Sequence, residues 1–77
     1  MVYVAGGFLE MIANRIPKMA RYNVLNKYRQ TIRTETIMDK KRLDMLTNDF
    51  LEIPLGYNEN YGIYVTRVEY SNGDIEE

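Results

Sequence analysis

Seventy-seven residues without a single cysteine or histidine make one domain over 1–77. They exclude disulfides, zinc and most transition-metal sites, and they remove the commonest catalytic base and the strongest nucleophile. The formal net charge of −1 conceals a division along the chain. Residues 11–42 carry nine basic against two acidic side chains, whereas 43–77 carry eight acidic against Arg67 alone.

Taken in chain order, Val2, Tyr3 and Val4 suit a short buried strand over 1–5, and Gly6 with Gly7 punctuates it. From Phe8 the recurrence of Phe8, Ile12, Ile16 and Met19 predicts an amphipathic helix, which Pro17 must end or kink. No apolar run here approaches the roughly 20 residues of a bilayer span. Proline is favoured at a first helical position, so Pro17 suits the start of a second helix running to about Arg29. Its apolar residues would be Met19, Tyr22, Leu25 and Tyr28, set among bases.

Residues 30–36 (QTIRTET) are rich in β-branched side chains and read as an exposed strand, or as an extension of that helix. Thr36 and Asp39 form a weak capping-box pattern. Behind them Leu43, Leu46, Phe50 and Ile53 recur every three or four residues, which predicts a helix near 37–52 that stops before Pro54. A turn-rich loop occupies 56–60. Residues 61–70 (YGIYVTRVEY) make the most strand-like segment, and 71–74 (SNGD) make a hairpin turn into a very short return strand.

The expected fold is α+β: a small single domain with about three helices and a short two- to three-stranded sheet. In it a strand, helix and strand form a crossover unit, and residues 1–5 pair beside it. A mainly α fold with one C-terminal strand or hairpin is the alternative.

Little catalytic chemistry is available to this chain. The carboxylate pairs Asp44 with Asp49 and Glu59 with Glu69 lack an anchoring motif, and no phosphate-cradling glycine loop or calcium-loop spacing occurs. The expectation is therefore a protein that is not an enzyme and needs neither metal nor cofactor. Binding is a better fit. Arg15, Lys18, Arg21, Arg29 and Arg33, with Tyr22 among them, could track phosphates or an acidic protein. On a helix Lys18, Arg21 and Arg29 would fall within about 60° of one direction.

Tyr57 and Tyr61 lie in or beside a polar loop, where tyrosine serves as interface area. These eight residues are the candidate partner-binding set. They point to a non-enzymatic protein-binding module, either a small subunit of a larger assembly or an inhibitor of a host protein of the kind phages and mobile elements encode. Nonspecific nucleic-acid binding by a basic helix over 15–33 is the alternative, against which a sequence pI near 5.4 weighs. A peripheral membrane role for 1–16 is a third reading. The charge division also permits head-to-tail self-association through opposite faces. The absence of cysteine suits a cytoplasmic protein.

Overall fold

The computed structural model describes residues 15–48 and 51–77. Over these residues the chain is mostly antiparallel sheet: β1 (Pro17–Leu25), β2 (Thr31–Ile37), β3 (Gly56–Asn58), β4 (Ile63–Tyr70) and β5 (Ile75–Glu76). The single helix among them, α1 (Lys40–Leu46), joins β2 to the second half of the chain. The sheet runs in the order β2-β1-β4-β3, and β5 also pairs with β4.

The α+β expectation of about three helices over a short sheet is thereby overturned, and so is the mainly α alternative. The helix expected from Pro17 to Arg29 is strand β1 followed by a turn. Among the described residues no two strands pair in parallel: β2 and β4 run the same way and are linked through α1, but β1 lies between them and pairs antiparallel with both. Of the N-terminal expectations, the strand at 1–5 and the helix from Phe8 fall outside the described residues, apart from Arg15 and Ile16.

The sheet forms because β4 and β1 each carry apolar residues for one face, with one extra residue apiece. In β4 the core residues are Ile63 and Val65, then Val68 and Tyr70. The step of three between Val65 and Val68 is taken up by Thr66, which bulges out between the pairs Tyr22 with Val65 and Arg21 with Arg67. A bulge moves the inward side by one position, and without it Val68 and Tyr70 would face away from the core. In β1 the extra residue is Lys18, between the pairs Pro17 with Tyr70 and Met19 with Glu69. Beyond it Ala20 and Tyr22 point into the core beside Val68 and Val65. Pro17 is tolerated because it is the first residue of its strand.

Over this face lies α1, which buries Leu43 and Leu46. It starts at Asp39, whose carboxylate accepts from the Lys41 amide at 3.1 Å, so the N-cap is Asp39 and not Thr36. The helix ends at Leu46 with Thr47 as its C-cap, short of the expected 37–52. Ile53 nevertheless reaches the core. Its amide donates to the Tyr70 hydroxyl at 3.3 Å, and both residues are almost wholly buried. With Ile37 they complete one cluster between the sheet and α1. Burying a side chain such as Leu43 is worth about 1.5–3 kcal/mol.

The last hairpin turns at residues 71–74 as the Asn-Gly pair predicts. Gly73 has φ 94°, where a residue with a β-carbon is strained. The Tyr70 amide donates to the Asp74 carbonyl at 2.9 Å, closing the turn into β5. The strand over 30–36 is present as β2, and that over 61–70 as β4. Among the described residues no helix is long and apolar enough to cross a membrane.

Candidate binding face

Three strand pairings set a row of side chains across the face of the sheet opposite α1. Asn23 stands between Thr34 and Tyr64, and Tyr64 is paired in turn with Tyr57. The Thr34 hydroxyl donates to the Asn23 side-chain oxygen at 2.9 Å. Tyr57 and Tyr64 remain 43% and 46% exposed, so neither is spent on the core.

Above them folds the β1–β2 turn. The Asn26 side-chain oxygen accepts from the amides of Tyr28 at 2.9 Å and Gln30 at 3.0 Å, an arrangement that asparagine favours in turns. It leaves Arg29 at φ 62° and lays its guanidinium over the Tyr57 ring, 4.2 Å from the centroid. Asn23, Leu25, Arg29, Thr31, Tyr57 and Tyr64 thereby enclose an open cleft of about 290 Å³.

At the same end of the sheet, on the α1 side, lies a second cleft of about 320 Å³. A chain of polar groups crosses it. The Tyr22 hydroxyl donates to Glu35 at 2.5 Å and accepts from Arg42 at 3.1 Å, and Arg33 donates to Glu35 at 2.6 Å. Burial and the bond to Glu35 push the Tyr22 hydroxyl above the usual phenol range. The Glu35 carboxyl is lowered by the Tyr22 bond and by Arg33. Tyr61, Met45 and Val24 supply apolar walls.

The candidate residues thus divide. Arg29 and Tyr57 meet in the first cleft; Tyr22, Arg33 and Tyr61 meet in the second. Arg21 and Lys18 join neither: Arg21 faces Arg67 across the β1–β4 pair and Lys18 is the β1 bulge. Arg15 serves structure. It pairs with Glu52 at 2.9 Å, with Asp74 at 3.6 Å and with Glu76, and it sits 4.4 Å above the Tyr70 ring. The stripe of Lys18, Arg21 and Arg29 does not exist, because a strand sends successive side chains to opposite faces. Sequence reasoning missed Asn23, Tyr64, Glu35 and Arg42. Tyr64 was the most visible of them, an aromatic alternating with Ile63 and Val65 and therefore on the outer face.

No known protein family, curated protein or solved structure matches the chain. Among the described acids, Glu52, Asp74 and Glu76 surround Arg15, Glu69 and Glu77 hold Arg67, Glu35 holds Arg33, and Asp44 meets Lys40. Lys18, Arg21, Lys27, Arg29, Lys41 and Arg42 make no ion pair with any described residue, against Asp39 and Glu59 among the acids. The charge division of the sequence is therefore partly cancelled within the fold: the side chains without an ion pair among the described residues are mostly basic, while the clusters around Arg15 and Arg67 keep an excess of carboxylates. Glu59 sits in the turn before β4 and Glu69 near its end. Strand rise sets these two about 20 Å apart, too far to act as a carboxylate pair.

Proposed function

We propose that this chain is a non-enzymatic protein-binding module, a small subunit or inhibitor, that docks an acidic partner on the face of its sheet opposite α1. The observation that carries the reading is the cluster of Arg29 on Tyr57 beside Tyr64 and Asn23. Tyrosine supplies a large contact area at low entropic cost, and tyrosine and arginine are both enriched among the residues that dominate interface energetics. Here they gather on a rigid sheet and the tight turn beside it rather than on a long loop. An acidic partner fits because Lys27 and Arg29 stand in the turn beside the cleft, neither in an ion pair with a described residue. The alternative of nonspecific nucleic-acid binding by a basic helix over 15–33 loses its scaffold, since the described part of that segment is two strands and a turn.

The test is purification of the tagged chain from its own cells at two salt concentrations with nuclease present, alongside Tyr64→Ala and Arg29→Ala. The expected result is an acidic protein retained in stoichiometric amount, released by salt, and lost from both variants while their circular dichroism is unchanged. Retained nucleic acid in place of protein, or retention that neither substitution alters, overturns the proposal.

A further inference from the structure

We propose that the chain pairs with a second copy of itself through the edge of β2 that is unpaired among the described residues, the two β2 strands running antiparallel about a two-fold axis at Thr34. This inference does not depend on the docking face above, which uses side chains at the opposite end of the row and leaves the β2 edge unused.

Among the described residues β2 is the outermost strand and pairs only with β1. Its first six residues are exposed or half-exposed, and Ile32 is 58% exposed. A strand edge of this kind offers a row of unpaired amides and carbonyls, and folds usually blunt it with proline, lysine or a very short strand. β2 has seven residues, TIRTETI, without proline, lysine or glycine. Its one irregularity lies at its start, where Ile32 is the extra residue between the pairs Leu25 with Thr31 and Val24 with Arg33, so the stretch from Arg33 onward is regular.

The sequence of β2 is complementary to its own reverse. With Thr34 opposite the partner's Thr34, Arg33 faces the partner's Glu35 and Glu35 faces the partner's Arg33. Opposite charges and threonine pairs stabilise antiparallel neighbours, and like charges directly opposite destabilise them. That rule also selects the register. Sliding the strands by two residues one way sets Arg33 against Arg33, and sliding them the other way sets Glu35 against Glu35. A pairing of this kind is isologous and closes as a dimer, with α1 of both copies on the same face of one continuous sheet. An edge of about five residues is a small interface, and small interfaces belong to the weak, exchanging class.

Sedimentation velocity over micromolar to millimolar concentration tests this on the full chain. The unaltered protein is expected to pass from monomer to dimer. Arg33→Glu and Glu35→Arg each set like charges across the axis and weaken dimerisation by about tenfold or more. An equimolar mixture of the two variants restores pairing, because the first then presents a carboxylate at both positions of the pair and the second presents a guanidinium at both. In the unaltered chain, hydrogen exchange from the amides of residues 32–36 slows as concentration rises, a measurement that needs no variant to fold. The proposal is overturned by a chain that stays monomeric throughout, by variants that dimerise as the parent does, by a mixture that stays monomeric, or by concentration-dependent protection that appears elsewhere and not in β2.

Discussion

Arg29 holds a left-handed backbone conformation at φ 62°, a region that costs a residue with a β-carbon about 1–2 kcal/mol and glycine almost nothing. The turn adopts it because the Asn26 side chain ties down the amides of Tyr28 and Gln30. In return the guanidinium reaches the Tyr57 ring, a half-exposed contact worth roughly 0.5–1 kcal/mol. The strain therefore equals or exceeds what the ring contact returns, as expected where a residue is kept for binding rather than for stability. Arg29→Gly and Arg29→Ala separate the two effects, since both lose the ring contact but only glycine relieves the backbone. In urea titrations the glycine variant should be about 1 kcal/mol more stable than the alanine variant, and both should bind the partner equally poorly. Equal stability of the two would mean that the turn relaxes and holds no strain.

At the scale of the element, the two bulges decide both the sheet and how much of it could be read in the sequence. In β4 the inward residues Ile63, Val65, Val68 and Tyr70 follow a period of two broken once, and the strand was legible because its β-branched and aromatic content survives the break. In β1 the inward residues are Pro17, Ala20 and Tyr22, and Met19 is buried as well. The break at Lys18 and the interleaved Met19, Tyr22 and Leu25 imitate a spacing of three, and methionine, alanine, arginine and leucine are good helix formers. Pairing with β2 and β4 on both sides outweighs that local preference, and nothing within 17–25 itself announces its partners. The candidate site suffered in the same way. Arg29 and Tyr57 were recognised as residue types, but their meeting depends on a turn inside what reads as a helix.

Deleting Thr66 tests whether the residue is only the spacer of its bulge. The deletion leaves Ile63, Val65, Val68 and Tyr70 at a strict period of two with their β1 partners unchanged, so all four keep facing the core and β4 pairs without a bulge. A cooperative thermal transition is expected to survive. Thr66→Ala keeps the count of residues and loses only the hydroxyl bond to the Arg21 carbonyl, which spans 3.2 Å. It should cost about 1 kcal/mol. A deletion variant that lost its cooperative transition would show that the fold needs the bend and added twist of the bulge and not only the facing of Val68 and Tyr70.

For the whole molecule, the bond between Tyr22 and Glu35 ties the core to strand β2 and makes stability depend on pH from both sides. Glu35 is held below the usual carboxylate range, first by the Tyr22 hydroxyl and then by Arg33. A group lowered on folding adds stability above its unfolded value and loses it as pH falls through the folded one. Tyr22 is raised, first by burial and then by Glu35, and Tyr70 is raised chiefly by burial. Groups raised on folding contribute fully below the ordinary phenol value of 10.0 and lose that contribution as pH climbs past it. Urea midpoints measured across pH should therefore form a plateau through neutrality, fall in acid as Glu35 takes a proton, and fall in alkali as the tyrosines lose theirs. Because one hydrogen bond contributes to both shifts, Tyr22→Phe should flatten both limbs at once, whereas Glu35→Gln should remove its part of the acid limb and leave the share of Tyr70 in the alkaline one. An acid limb unchanged in Tyr22→Phe would mean that Arg33 alone holds Glu35 down, and that the core and the β2 edge titrate independently.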